Sequence, residues 1–312
     1  MADYIVIDGG TTNTRVSLVS DGEVLETKRF NIGAKKSIDG NSSLKLGVKN
    51  SIEELLNKNE KTANCIECII ASGMITSEFG LFELKHLTVP AGIKELNAGM
   101  KKVVLDDICE IPFVFIPGVK LACTGFDDSD MMRGEEVELV GILGETESVY
   151  VLPGSHSKAI RTDADGRITD FCTMLTGEMI GAIAQETILR DALDMTISET
   201  DSEYLLSGYE YCCENGINKS LFRVRAMKNL LGATAKQVYS FFMGIMLHDE
   251  IVQLLSFTEK KIVLGGKKQL RCAMTEILKV VSDKEIICLS DDVVDNANTF
   301  GMVKIYEYSC LK

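Results

Sequence analysis

The sequence predicts an α/β chain of two domains, each opening with a β-hairpin whose turn is rich in glycine and hydroxyl residues. Three observations carry this. Tyr4-Ile-Val-Ile-Asp8-Gly-Gly-Thr-Thr-Asn13-Thr-Arg15-Val-Ser-Leu-Val reads as two strands joined by a tight Gly/Thr turn. The pattern returns at Val149-Tyr-Val-Leu-Pro-Gly154-Ser-His-Ser-Lys158-Ala-Ile. Gly10 and Gly154 share with the turn glycines Gly22 and Gly166 one offset of 144 residues (154 less 10, 166 less 22). Beyond the second hairpin the chain turns helical, over 177–193 and 236–255.

The remaining elements follow in order. Asp21-Gly22 marks a turn and 23–30 a third strand; 51–58 is helical. Residues 66–71 read as a buried strand ending in Ser72-Gly73-Met74, and 105–108 and 113–116 as further strands closed by Pro117-Gly118. A helix is expected over 135–143. In the second half, Asp165-Gly166 is again a turn and 168–174 again a strand. Residues 261–264 form a late strand running into Gly265-Gly266, and 292–306 a last helix. The expected domains are 1–146, with the C-terminal helix 291–312 packing back on it, and 147–290.

Composition narrows the function. Apolar residues make up 46% of the 312, enough for a substantial core, and the net charge of −13 argues against nucleic acid as a partner. The apolar runs read from the sequence fall short of the roughly 20 residues of a membrane span, and no basic segment leads into an apolar one at the N-terminus. The expectation is a cytoplasmic protein with no membrane partner, whose ten cysteines are reduced thiols. Cys65 and Cys68 have CxxC spacing, but with no second pair they read as small apolar residues of a strand. The sequence does not fix the oligomeric state; a homodimer is compatible with it.

Two hydroxyl-rich hairpin turns facing one another across a domain cleft suit a nucleoside triphosphate. Backbone N–H groups in such turns form anion-binding concavities, and Thr and Ser hydroxyls add donors. Gly9, Gly10, Thr11, Thr12 and Asn13 of the first turn, and Gly154, Ser155 and His156 of the second, are the candidate phosphate cradle, with Arg15 and Lys158 neutralising charge. Asp8, ending the first strand, is the candidate Mg²⁺ ligand. Gly265 and Gly266 complete the ATP site. No Walker or dinucleotide fingerprint and no GxSxG is present. The run from Asp127 to Glu136 holds five carboxylates and Arg133. Phosphoryl transfer to an alcohol needs a carboxylate to take the hydroxyl proton and positive charge nearby, so Asp130, Glu135 and Arg133 are the catalytic candidates. Asp130, expected at a helix start with N-cap chemistry, is slightly preferred as base. Glu178 is the candidate for substrate hydroxyls, and Arg133 and Arg225 for a substrate carboxylate.

Asp8-Gly-Gly-Thr-Thr-Asn13-Thr-Arg15, Met132-Arg-Gly-Glu-Glu136, Pro153-Gly-Ser-His-Ser-Lys158, Asp170-Phe-Cys-Thr-Met-Leu-Thr-Gly-Glu178 and Phe222-Arg-Val-Arg225-Ala together resemble the 2-dehydro-3-deoxygalactonokinase family in order and spacing. The resemblance implies the two-domain actin-like ATPase fold, of ribonuclease H-like plan, and transfer of phosphate from ATP to the terminal hydroxyl of a 2-keto-3-deoxy sugar acid. The chain departs from the family pattern in places. Gly9 stands where Trp is usual, Gly73-Met-Ile-Thr-Ser77 has Thr76 for Gly, Gly80-Leu81 and Lys85-His86 replace Gly-Trp and Pro-Tyr, and Cys172 replaces Arg. Two rival readings stay open on the residues alone: a kinase of another small sugar or hydroxy acid, and a nucleotide-binding sensor that transfers nothing.

Overall fold

The structure is a computed structural model that describes residues 2–33, 40–144 and 147–309. In chain order the first half carries β1 (Asp3–Gly9), β2 (Thr14–Ser20), β3 (Glu23–Phe30), α1 (Ser42–Lys58), β4 (Ile66–Gly73), β5 (Leu87–Thr88), α2 (Ile93–Gly99), β6 (Lys101–Leu105), β7 (Cys109–Phe115), β8 (Val119–Lys120), β9 (Met131–Met132) and α3 (Glu135–Ile142). The second half carries β10 (Val149–Leu152), β11 (Ser157–Thr162), β12 (Ile168–Met174), α4 (Thr176–Glu186), α5 (Ser202–Asn215), α6 (Ile217–Leu230), α7 (Ala235–Ser256), β13 (Lys261–Leu264), α8 (Lys268–Val281), β14 (Glu285–Cys288) and α9 (Asp291–Glu307). The chain divides into two compact units: 1–146 with 164–170 and 292–312, and 147–163 with 171–291. Residues 145–146 and 310–312, Cys310 included, lie outside the described residues; the other nine cysteines are free thiols.

Each unit is built on a sheet of the same order. In unit 1 it is β3-β2-β1-β4-β7-β6; the second sheet runs β12-β11-β10-β13-β14. β1 pairs antiparallel with β2 and parallel with β4, as β10 does with β11 and β13. This duplicated order is the ribonuclease H-like plan of actin-like ATPases. The local cause is legible in each first strand. Ile5, Val6 and Ile7, and Val149, Tyr150 and Val151, are buried on both faces, as a central strand of a sheet covered on both sides requires. On β3, Glu23, Leu25 and Arg29 are exposed and the rest only half-buried, as suits a sheet edge.

Unit 1 packs α1 on its sheet through Leu44, Val48, Ile52 and Leu55, spaced at three to four residues. α9 returns the chain to this unit. A Cβ on Gly141 would fall on the Ala297 carbonyl and one on Gly301 on the Val137 carbonyl, so α3 and α9 touch backbone to backbone. Residues 164–170 join unit 1 through a bridge between Ala91 and Ile168.

Unit 2 is organised around α7, started by a capping box in which Thr234 and Gln237 bond each other's backbone N–H. α7 is long and apolar enough to cross a membrane, which the reading of short apolar runs missed. Of its most apolar 18-residue stretch, 72% is buried inside the protein, so this is a core helix. Val238, Phe242, Leu247, Ile251 and Leu254 pack there with Leu205, Val224 and Met274.

Three local expectations are corrected. The strand expected over 105–108 is instead β6, ending at Leu105; Asp106 and Asp107 make the turn, closed by the Ile108 N–H on the Leu105 carbonyl at 2.8 Å. The helix expected to reach 193 stops at Glu186: the Thr187 hydroxyl donates to the Ile183 carbonyl at 2.6 Å and accepts from the Leu189 N–H. Asp130 is not a helix cap. β9 intervenes, α3 begins at Glu135, and its cap is Gly134, whose φ of 117° favours glycine.

Candidate active site

In unit 1 the β1–β2 turn is closed by the Gly10 N–H on the Asn13 carbonyl at 2.9 Å, leaving Thr11, Thr12 and Asn13 exposed. Gly9 is fixed by its surroundings. A Cβ there would lie 2.6 Å from the Ile75 Cβ, so the Trp usual at this position has no room in this chain. Asp8 faces Arg15 across β1–β2 and Ser72 on β4. Burial pushes its carboxyl above the ordinary carboxylate range; Arg15 pulls it down and the Glu135 charge pushes it up further. The charges acting on Asp8 are mixed, with Arg15 and Arg29 pulling its carboxyl down and Glu135 pushing it up. Mg²⁺ is commonly held by one or two carboxylates with waters and phosphates, a demand a lone Asp8 can meet, although among the described residues no group of three or more His, Cys, Asp or Glu side chains is gathered to hold a metal ion. Arg15 also donates to the Asp295 carbonyl at 3.4 Å.

The acidic run resolves into separate jobs. Asp128 holds a loop turn, accepting from the N–H groups of Thr124 (2.9 Å) and Gly125 (2.6 Å); these bonds and the Thr124 hydroxyl keep it below the usual carboxylate range. Asp130 Oδ1 accepts from the Met131 N–H at 2.7 Å. Glu135 Oε2 accepts from the Arg133 N–H at 3.1 Å, and both Glu136 oxygens accept from the Gly134 N–H at 2.9 and 2.8 Å. Glu136 is fully buried and pushed up to about 8, by burial first and by the Glu135 charge second. Arg133 donates through Nη1 to the Thr76 carbonyl (2.8 Å) and hydroxyl (2.5 Å), and through Nη2 to the Leu84 carbonyl (2.9 Å). Its Nη2 also meets His86 Nδ1 at 3.3 Å. Burial, Arg133 and Lys120 hold His86 down to about 4, so the ring is neutral. Arg133 therefore staples Thr76 to His86, the stretch that departs from the family pattern.

In unit 2 the β10–β11 turn carries Gly154, Ser155 and His156. Its Gly154 N–H donates to the Ser157 hydroxyl at 3.3 Å. α4 docks its first turn directly on it: a Cβ on Gly177 would fall on the Gly154 carbonyl, and the Glu178 N–H donates to the Ser155 carbonyl at 3.1 Å. His156 Nε2 and Glu178 Oε1 are 3.2 Å apart, both substantially exposed. Lys158 is buried and reaches the His156 carbonyl at 3.5 Å. Gly265 and Gly266 join this turn. The Gly265 N–H donates to the Val151 carbonyl at 2.8 Å and the Lys267 N–H to the Pro153 carbonyl at 2.7 Å. Unit 2 thus brings together the predicted residues 154–158, 178 and 265–266.

Arg225 is placed elsewhere in the unit. On α6, it donates to the Ile188 carbonyl at 3.0 Å, beyond the far end of α4 and on the order of 15 Å along that helix from the turn at 1.5 Å per residue. Sequence reasoning missed Thr176, Glu250, Arg271 and Asp291. Thr176 Oγ1 donates to Glu250 Oε2 at 2.6 Å; Arg271 holds the Gly266 carbonyl at 2.8 Å and pairs with Asp291. The available signal was a carboxylate at Glu250, beside Asp249, inside the apolar stretch of α7.

Comparison with known proteins accords with this arrangement. The family model described as 2-keto-3-deoxy-galactonokinase matches residues 8–299. The chain is 28% identical to the 2-dehydro-3-deoxygalactonokinase of Escherichia coli (strain K12) over 263 residues, 82% of each chain. It is 30% identical over 264 residues to a Rhizobium meliloti (strain 1021) protein described as a probable 2-dehydro-3-deoxygalactonokinase, covering 81% of this chain and 80% of that one. Among solved structures, a Sinorhizobium meliloti protein provisionally assigned to the same activity aligns with a TM-score of 0.80 at 24% identity, over 98% of this chain and 99% of that one. With the family pattern running through both units, this chain belongs to the 2-keto-3-deoxy-galactonokinase family.

Proposed function

We propose that the protein transfers the γ-phosphoryl group of Mg-ATP to the terminal hydroxyl of a 2-keto-3-deoxy sugar acid, with 2-dehydro-3-deoxy-galactonate as substrate. The observation that carries this is the duplicated sheet, with a glycine- and hydroxyl-bearing turn at the same place in each copy. In unit 1, Thr11, Thr12, Asn13 and the turn N–H groups are assigned to phosphate oxygens, and Arg15 to charge neutralisation. Asp8 is assigned to Mg²⁺, which supplies charge stabilisation of the transferring phosphoryl when bound. In unit 2, Ser155, His156 and Lys158 are assigned to phosphate and Gly265–Gly266 to the adenosine. Glu178 is assigned to substrate hydroxyls.

For the base, Glu135 is preferred over Asp130. What favours it is its electrostatic coupling to Asp8, while Asp130 precedes β9 and bonds its own neighbour. In the proposed step the sugar hydroxyl loses its proton to Glu135, its oxygen bonds to the γ-phosphorus, and the bond from that phosphorus to the bridging oxygen breaks to leave ADP. The proposed setting is the cytosol, with a small-molecule acid as partner.

A coupled assay of ADP release tests this across 2-dehydro-3-deoxy-galactonate, other 2-keto-3-deoxy acids and neutral sugars. Turnover fastest with the galactonate derivative is expected. ATP binding without ADP release on any acid would overturn the proposal in favour of a sensor.

A further inference from the structure

A carboxyl group inside a hydrophobic core is costly unless its oxygens are bonded, and an apolar residue of similar volume usually serves stability better. Glu250 is such a group. It lies on α7 with 1% of its surface exposed, between Leu247, Ile251 and Leu254, which are fully buried. Oε2 accepts from the Thr176 hydroxyl at 2.6 Å, the Ser157 hydroxyl is a second partner of the carboxyl, and among the described residues Oε1 has none. Burial pushes the group above the ordinary carboxylate range.

The two hydroxyls are what make the placement informative. Ser157 closes the Gly154–Ser157 turn by accepting the Gly154 N–H at 3.3 Å, and Thr176 is the first residue of α4. α4 grips the same turn from outside, through Gly177 against the Gly154 carbonyl and the Glu178 N–H on the Ser155 carbonyl. The carboxyl is therefore the buried corner of a closed set of contacts that joins the turn, the start of α4 and the core helix. Ser157 is fully buried and Thr176 nearly so. None of the three side chains can reach a ligand in solvent, so any effect on ligand binding passes through the turn.

We propose that Glu250 is a positioning residue of the nucleotide site, holding the Gly154–Lys158 turn and the α4 N-terminus in the conformation that receives phosphate. This rests on the assignment of that turn to phosphate.

Steady-state kinetics with ATP and sugar acid varied separately test it. Glu250→Met keeps volume and removes the acceptors; KM for ATP is expected to rise about tenfold or more, since small misplacements of a binding group carry penalties of that size. KM for the sugar acid should rise as well but by less, because Glu178, assigned to substrate hydroxyls, stands in the same first turn of α4 as Thr176. Glu250→Gln, which keeps one acceptor for Thr176, should recover most of the loss. Should Glu250→Met fail to fold, Thr176→Val removes only the donor hydroxyl. It should raise KM for ATP in the same direction, and adding Glu250→Gln to Thr176→Val should raise it little further, because the bond they share is already lost. A lowered melting temperature with KM for ATP unchanged in these variants would overturn the positioning role and leave a purely structural one. Lys158→Ala separates the two claims. If it too leaves ATP binding intact, the phosphate assignment of the turn fails. If it weakens ATP binding while Glu250→Met and Thr176→Val do not, only the role of Glu250 fails.

Discussion

Replacing Arg133 by lysine discriminates between two jobs for its guanidinium. The sequence suggests a ligand for the substrate carboxylate; the structure has both terminal nitrogens occupied, by the Thr76 carbonyl and hydroxyl, the Leu84 carbonyl and the His86 ring. A lysine ammonium is one point on a flexible stem and cannot span Thr76 and Leu84 as a planar fork does. At least two of these charge-assisted bonds should be lost. At about 1.5 kcal/mol for each, the cost is about 3 kcal/mol. For a domain of this size that lowers the melting temperature by about 6–12 °C. The assay is a thermal melt of wild type and Arg133→Lys, beside KM for the acid and for a neutral sugar. A staple predicts the lower melting temperature together with similar KM changes for both substrates, because the 76–86 stretch is loosened as a whole. An unchanged melting temperature with KM raised only for the acid would refute the staple and return Arg133 to the carboxylate.

Asp8→Asn should lower kcat by about 10²-fold or more while leaving the melting temperature of the free protein unchanged or higher, since it removes a carboxylate that burial and Glu135 disfavour. Normal turnover would remove Asp8 from the metal assignment. Glu135→Gln should lower kcat by about 10²–10⁴ with ATP affinity retained, and Asp130→Asn should change it little; the opposite pattern would make Asp130 the base. His86 is held down to about 4, against about 6.5 when unfolded, so as pH falls below 6.5 the unfolded chain takes up the proton first. Its stabilising effect is whole above pH 6.5, declines between 6.5 and 4, and is gone below that. Discounted for partial exposure, this amounts to on the order of 1 kcal/mol. Urea midpoints of wild type and His86→Gln at pH 7 and 4.5 check it: equal pH sensitivity in the two proteins would contradict the shift.

The hairpins were legible in the sequence because each states its strands and its turn within a dozen residues. β1 and β10 are buried on both faces and read as continuous apolar runs, and the 144-residue offset exposed the duplication. Helices α5 and α6 were not read, because their buried faces are narrow stripes such as Leu205, Tyr209 and Cys212 among polar residues. The helix over 135–143 was legible at its start, but Asp130 was misread as a cap because an aspartate in an acidic run resembles one, whereas Gly134 caps through its backbone geometry. Glu250 could be noticed as an anomaly in α7, but its partner Thr176 lies 74 residues away, a distance no local pattern spans. Arg225 shows the converse: a cation inside a family motif need not stand beside the other motif residues of its own unit.

The close fit of α9 against α3 bears on how the protein is made. Translation runs from the N-terminus, so unit 1 leaves the ribosome without the helix whose backbone must meet Gly141 and Val137. Until α9 emerges, that seam on the nascent chain has no cover. Apart from the inserted 164–170, unit 2 is a single run from 147 to 291, so it is fully synthesised before unit 1 is. Unit 1, though first to be translated, is the last to be completed, and a truncation or a bulky fusion that prevents α9 from docking would strand it in a state exposing the apolar seam to chaperones and proteases.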